Sequence, residues 1–112
     1  MDPTAERVAK NDAAFRRANE EIEATAIESA VELVPFLCEC AEPRCTELLR
    51  LTLAEYEAVR ADSRHLINVP GHDVSAQGWA VPVEEHERYA VIEKVGEAGA
   101  LAEQLDQREA AG

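Results

Sequence analysis

The chain has 112 residues and a formal net charge of −12, from 23 acidic and 11 basic residues. This length suits one domain with its own core, so we expect a single domain over residues 1–112. Binding to duplex nucleic acid depends on Lys and Arg that neutralise phosphates, and this acidic balance predicts no such binding.

The start of the chain, Met1 to Glu6, lacks the positive and apolar regions of a secretory signal. No apolar run approaches the roughly 20 residues that cross a bilayer. The sequence therefore predicts a cytoplasmic protein without membrane contact. Thiols stay reduced in that compartment, so three clustered cysteines indicate metal or redox chemistry rather than a disulfide framework.

The first third of the chain is predicted to be an N-terminal helical segment, residues 1–34, with a helix over 3–30. Its apolar residues recur at a helical spacing and predict a stripe that faces the core. They are Val8, Phe15 and Ile22, with Ala18 and Ile27 beside them. Asn11-Asp12 is itself a capping signal, so two shorter helices are an alternative.

Residues 36–96 are predicted to form an α+β core. Phe36–Cys40 and Thr46–Leu51 are typical of strands, and the segment Glu42-Pro43-Arg44 between them is typical of a tight turn. The pattern predicts a short hairpin that carries the cysteines at its tip.

The next elements follow from capping and turn signals. Thr52-Leu53-Ala54-Glu55 is a capping box and predicts a helix over 53–61. His65–Val69 is predicted to be a third strand, which ends at the Pro70-Gly71 turn.

The remaining third is predicted to be a loop, a hairpin and a helix. Residues 73–79 lack periodicity, and 80–84 with 89–94 are typical of a hairpin. Pro82 confines the first of these two strands to a sheet edge or a bulge, because proline has no N–H to donate. Residues 97–106 are predicted to form a C-terminal helix.

Together these elements predict an α+β fold. We expect one small mixed or antiparallel sheet of four or five strands, with N-terminal, central and C-terminal helices packed on one face. We expect the cysteines to form a zinc knuckle at the end of the sheet, on the evidence of their spacing.

The three cysteines have the spacing C-x-C-x4-C. In an extended strand Cys38 and Cys40 project to the same side while Glu39 faces away. The turn after them brings Cys45 back toward the same point. Three thiolates and one imidazole form a common structural zinc site, and soft thiolates favour zinc over magnesium or calcium.

The fourth ligand is predicted to be His72, which the Pro-Gly turn holds just beyond the third strand. His65 opens the same strand, and His86 lies among charges in Glu84-Glu85-His86-Glu87, which is typical of a solvated turn. Asp73 or a water molecule are further alternatives for the fourth position.

The cysteine pattern favours metal binding over three other roles. Free cysteines often serve as small buried hydrophobes. A Cys38–Cys40 disulfide is disfavoured, because two residues of extended strand separate the Cα atoms by about the upper limit of disulfide geometry. Three crowded thiols also suit coordination better than nucleophilic attack.

Three segments of the chain resemble a family of small uncharacterised bacterial proteins with the pattern FxCECxxxxCTE…LTxxEYExVRA…PGH. These segments are Phe36–Glu47, Leu51–Asp62 and Val69–His72, and the likeness extends to Asn11–Ile22 and Tyr89–Gly96. The resemblance implies that the three cysteines and His72 act as one set. It implies no particular activity.

Three functions are consistent with this sequence. The favoured one is a zinc-stabilised interaction or regulatory module that contacts another protein through its acidic surface. The second is a thiol-based redox or metal sensor that releases zinc on oxidation. The third is an enzyme that uses the zinc or Cys45.

Overall fold

The computed structural model describes residues 3–40, 45–72 and 80–106, with side chains from residue 6 onward. The elements in chain order are α1 (Pro3–Ser29), β1 (Val34–Leu37), β2 (Leu48–Leu51), α2 (Leu53–Arg60), β3 (His65–Asn68), β4 (Ala80–Glu85), β5 (Ala90–Lys94) and α3 (Gly96–Gln104). The predicted α+β class is confirmed. The predicted turn at 42–44, the loop at 73–79 and Asp73 lie outside the described residues.

The described strands form two antiparallel sheets rather than the single sheet that the sequence predicts. β1 and β2 form the predicted hairpin, with Val34 opposite Leu51 and Leu37 opposite Leu48. The second sheet has the order β3-β5-β4, so β4 lies at an edge. Its register shifts between Pro82 and Glu84, which agrees with the edge position and the bulge expected for Pro82.

The sheets separate because the chain changes partner directly after β1. The Cys38 N–H still donates to the Glu47 carbonyl at 3.1 Å, which extends the hairpin by one bond. The Glu39 N–H instead donates to the Ile67 carbonyl in β3 at 2.8 Å. The predicted strand over Phe36–Cys40 is therefore too long at its C-terminal end, and Glu39 provides a backbone link between the two sheets.

The capping box that predicts α2 is present in full. The Thr52 hydroxyl accepts a hydrogen bond from the Glu55 N–H at 3.1 Å, and the Glu55 carboxylate accepts one from the Thr52 N–H at 2.8 Å. Because both bonds are local, the start of α2 follows from four consecutive residues. The C-terminal helix is also present, at Gly96–Gln104 instead of 97–106.

One continuous helix, α1, accounts for most of the N-terminal segment, and it ends at Ser29 while Val34 already belongs to β1. Its buried face differs from the predicted apolar stripe. Phe15 and Ile22 are only half-buried, and Ile27 is 64% exposed. The residues that α1 buries instead include four polar ones, Asp12, Arg16, Asn19 and Glu23.

Polar partners elsewhere in the chain explain this burial. The Arg16 guanidinium donates to the carbonyls of Ser63 at 2.7 Å and Ala102 at 2.8 Å. The Asn19 side chain donates to the Leu37 carbonyl at 2.9 Å and accepts from the Leu37 N–H at 2.7 Å. A buried polar group is tolerated when it is hydrogen-bonded, so α1 turns this face inward.

A second set of contacts joins α1 to α2 and to the end of α3. Arg60 forms a two-pronged pair with the Asp106 carboxylate, at 2.6 and 3.1 Å, and both groups are buried. Arg60 also donates to Glu20 at 3.1 Å, and the Tyr56 hydroxyl donates to the same carboxylate at 2.7 Å. The Arg60 side chain therefore holds three elements together.

The main apolar core lies between the hairpin, α2 and the three-stranded sheet. The rings of Phe36 and Tyr56 stack with centroids 4.3 Å apart and are fully buried. Cys38 and Cys40 belong to the same cluster. Tyr56 therefore completes this core.

A buried contact between an acidic and a basic side chain connects α1 to β5. Lys94 Nζ lies 2.9 Å from Asp12 Oδ2, and both side chains are at most 1% exposed. The contact lacks the alignment of a good hydrogen bond. Burial outweighs the attraction of Lys94 and raises the pKa of Asp12 from 3.8 to about 7.

This raised pKa predicts a pH dependence of stability. The folded state holds the Asp12 proton up to a pKa of about 7, while the unfolded chain releases it near pH 4. Between about pH 4 and 7 the folded state binds more protons, so this group lowers the free energy of unfolding as pH rises. The variant Asp12→Asn should lack that decline.

The test is urea unfolding of the wild type and Asp12→Asn in parallel at several pH values from 5 to 8, with Glu85→Gln on exposed β4 as the control. Relative to the wild type, the free energy of unfolding of Asp12→Asn should increase with pH, whereas that of Glu85→Gln should not. Parallel curves for the wild type and Asp12→Asn would contradict the assignment.

Candidate metal centre

Three thiols and one imidazole converge where the hairpin tip meets the end of β3. The sulfurs of Cys38, Cys40 and Cys45 and a ring nitrogen of His72 all lie within 4.8 Å of one another. His72 Nδ1 is 3.5 Å from the Cys38 sulfur and 3.6 Å from the Cys45 sulfur. The structure therefore brings together the four residues that the sequence predicts as one set.

These distances can be compared with those of a tetrahedral zinc site. Bonds of about 2.3 Å to sulfur and about 2.05 Å to nitrogen, at a tetrahedral angle, place the two ligand atoms about 3.6 Å apart. The measured separations of 3.5 and 3.6 Å fit this value. The donor set and its spacing thus fit a zinc-sized ion.

Cys38 and Cys40 reach the cluster because the chain between them is pinned from the opposite side. Both cysteines are 1% exposed and belong to the apolar core. The Glu39 carboxylate faces away from the thiols, as the alternation of an extended chain predicts. The alternation persists although β1 itself ends at Leu37.

Glu39 has a structural role that the local sequence does not predict. Its carboxylate is fully buried and accepts hydrogen bonds from the Asn19 amide at 2.8 Å and from the Ile67 N–H at 3.1 Å. Burial raises its pKa, while these two donors act in the opposite direction. No local sequence pattern predicts these two hydrogen bonds, because the partners of Glu39 lie 20 and 28 residues away.

His72 is positioned by the turn that follows β3. The His72 N–H donates to the Val69 carbonyl at 3.0 Å, and Gly71 has a φ of +95°. Pro70 and Gly71 therefore occupy the central positions of a type II turn, where proline and then glycine are favoured. This turn directs the His72 ring toward the cysteines.

The backbone also contributes to the sulfur environment. The Val69 N–H donates to the Cys38 sulfur at 3.2 Å, and hydrogen bonds of this kind stabilise a negatively charged sulfur. A side-chain hydrogen bond with Cys40, together with burial, raises the pKa of the Cys38 thiol, and burial raises that of Cys45. A bound metal ion reverses this preference, since a coordinating thiol loses its proton.

The other two histidines lie elsewhere. His65 Nε2 is 3.0 Å from the Glu93 carboxylate and 3.4 Å from that of Asp62, and these three groups form a separate, partly exposed cluster. His86 lies 2.8 Å from Glu84 on an exposed part of the hairpin. Neither histidine belongs to the group of three cysteines and His72.

The three thiols differ in accessibility. All three are in the thiol form, not in disulfides, and Cys45 is half-buried, unlike Cys38 and Cys40. A metal ion bound by all four side chains would have a complete tetrahedral shell with no open position for water.

Comparison with protein-family models, curated proteins and solved structures finds no significant match to this chain. Within the described residues, α1 and the shorter helices are not apolar over a length that crosses a membrane.

Substitution of Gly71 tests whether the turn before His72 positions this ligand. A Cβ at Gly71 would meet no atom within 4 Å, so the variant Gly71→Ala is strained only by its φ of +95°. This conformation costs an L-residue about 1–2 kcal/mol, and relief of the strain would move His72. Zinc affinity, measured by competition with a chromogenic chelator, should fall about tenfold or more.

Pro70→Ala is the matched control, because alanine accepts the conformation of that turn position with only a modest loss of stability. It should bind zinc with nearly wild-type affinity. Equal affinities for Gly71→Ala and Pro70→Ala would show that the turn does not position His72.

The Glu39 carboxylate generates a second prediction. In the variant Glu39→Gln, an N–H₂ group replaces one carboxylate oxygen and faces either the Asn19 amide or the Ile67 N–H, both of which are donors. The unmatched donor should cost roughly 1–3 kcal/mol in stability, measured by urea unfolding of the zinc-loaded protein. Glu47→Gln, an exposed carboxyl at the same hairpin tip, should change stability little. Similar stabilities for the two variants would exclude this role of Glu39.

Proposed function

We propose that this chain binds one zinc ion through Cys38, Cys40, Cys45 and His72, and that the ion stabilises a small module that binds another protein. The observation that carries the proposal is the convergence of three sulfurs and one imidazole nitrogen at tetrahedral spacing. Thiolate-rich sites select zinc over hard cations such as magnesium and calcium.

The position of the site supports a structural role for the metal. It joins Cys38 and Cys45 of the hairpin to His72 at the end of the turn, and these residues are 27 to 34 positions apart in sequence. Metal that binds only the folded arrangement adds its binding free energy to folding. A complete shell of four protein ligands favours this role over activation of a water molecule.

The sequence context agrees with this proposal. The resemblance to the family with the CEC…C…PGH pattern implies that these four residues act together. A reducing cytoplasm, where we expect the protein to reside, keeps thiols available for metal.

The charge of the chain supports a protein partner. A net charge of −12 repels nucleic acid and anionic membranes and favours a partner with a basic surface.

Metal analysis and unfolding test the zinc part of the proposal. The wild type should carry one zinc per chain, and Cys38→Ser and His72→Asn should each carry far less. Loss of the metal should lower Tm on the order of 10 °C, which corresponds to about 2–3 kcal/mol for a chain of this size. His86→Asn changes an imidazole outside the cluster, so it should retain zinc and the wild-type Tm.

A chelator should lower the Tm of the wild type and should leave that of Cys38→Ser unchanged. A wild-type protein that is purified without metal and whose Tm does not respond to added zinc would refute the structural role.

The exposure of Cys45 favours a second candidate function, a redox sensor. Cys45 is the least buried of the three thiols, so an oxidant would reach it first. Hydrogen peroxide would oxidise its thiolate to a sulfenic acid and, with one proton from solvent, be reduced to water. A neighbouring thiolate, Cys38 or Cys40, would then attack the sulfenic sulfur to form a disulfide, and the displaced hydroxide would take a second proton from solvent to leave as water, with release of the zinc ion. Zinc release at micromolar peroxide, reversed by a dithiol reductant, would support this function, whereas retention of zinc until global unfolding would exclude it.

A further inference from the structure

An open groove of about 500 Å³ runs between the C-terminal half of α1 and the segment that leads into β1. One wall is a face of α1 that includes Ala18, Ile22, Thr25 and Ser29, and the other includes Val31 and Pro35. The span from Ala18 to Ser29 is about 16 Å at 1.5 Å per residue, which matches roughly three turns of a second helix.

The surroundings of the groove are apolar and exposed. Val31 in its wall is 45% exposed, and Leu33, two residues further along the chain, is 39% exposed. Adjacent exposed apolar residues of this kind mark interaction surfaces more often than isolated ones do.

The charge around the groove defines the chemistry of its partner. Residues 18–37 contain five glutamates, of which Glu20 is bonded to Arg60 and Glu23 is buried, so three remain for a partner. The exposed Arg50 lies opposite Pro35 across the hairpin. Glu21 lines the groove, and Glu28 and Glu32 are exposed close to it in the chain. A second copy of this chain would bring another −12 to the same place, so the field favours a basic partner over self-association.

The backbone of β1 favours a helix over an added strand. Pro35, in the groove wall, has no N–H to donate. The next β1 groups that point to the same side, the N–H and carbonyl of Leu37, already bond to the Asn19 side chain. A strand added at this edge would find few backbone partners, whereas a helix satisfies its own backbone and needs only apolar contact.

We propose that this groove binds an amphipathic helix of another protein, with an apolar stripe that enters the groove and Lys or Arg residues that face the glutamates. The proposal rests on the proposed function as a protein-binding module, and it names the surface and the class of partner.

A designed peptide provides the probe. A fluorescein-labelled 14-residue helix with leucines at i, i+3, i+7 and i+10 and lysines flanking the stripe is titrated with zinc-loaded protein, whose metal content is measured first. Fluorescence anisotropy should show saturable binding that weakens as salt rises, because the charge attraction is screened. A matched peptide with glutamates in place of the lysines should not bind.

Variants of the groove locate the site. Thr25→Trp fills the groove from an exposed position, and Ala24→Trp places the same side chain on the neighbouring exposed residue outside the lining. Glu21→Lys reverses a charge of the rim, and Glu85→Lys does so on β4. Thr25→Trp and Glu21→Lys should weaken binding about tenfold, whereas the two control variants should stay within about twofold.

The outcomes separate this proposal from the role of zinc. Three results would overturn the groove as a basic-helix site, even if zinc is bound as proposed. They are no binding up to about 1 mM peptide, equal affinity for the lysine and glutamate peptides, and an affinity that Thr25→Trp leaves unchanged. A dimer that buries the groove in sedimentation experiments would also overturn it. If the peptide binds in the groove but metal analysis finds no zinc in the purified protein, the proposed structural role of zinc is refuted and the groove site stands.

Discussion

The buried carboxylate of Glu39 is the contact on which the arrangement of the hairpin, α1 and β3 depends. One oxygen accepts from Asn19 in α1 and the other from the backbone of Ile67 in β3, while the Glu39 N–H donates to the Ile67 carbonyl. These bonds fix the residue between two cysteines. Because side chains alternate along an extended chain, they also direct Cys38 and Cys40 to the opposite side.

The interior around α1 is specified by polar contacts as much as by apolar packing. Arg16, Asn19 and Arg60 each bond to groups in other elements, and Asp12 meets Lys94. A buried polar group that loses its partner keeps its desolvation cost, so rotation of α1 by one residue would leave several such groups unmatched. The orientation of α1, and with it the outward position of Ile27, follows from this matching.

The candidate metal centre and the groove share one short strand. β1 begins at the groove wall, with Val34 and Pro35, and its chain continues directly into Cys38. The distance along the strand from Pro35 to Cys38 is about 10 Å. An ion that holds Cys38 would thereby also help to hold one wall of the groove.

Several features follow from the sequence alone because they depend on residues close together in the chain. The capping box of Thr52 and Glu55, the turn of Pro70 and Gly71 and the alternation of Cys38 and Cys40 are of this kind, and each was predicted. The predicted grouping of the cysteines with His72 combined such local signals with the chemistry of zinc ligands and with a family resemblance.

The tertiary structure decided which polar residues are buried and how the strands divide. The heptad of Val8, Phe15 and Ile22 predicted an apolar face for α1, yet Asp12, Arg16, Asn19 and Glu23 face inward. The partners of Asn19 lie 18 and 20 residues away, and one partner of Arg16 lies 86 away. The sequence of α1 does not identify those distant partners. The free energy of burying a polar side chain depends on them, so its burial cannot be predicted from local sequence.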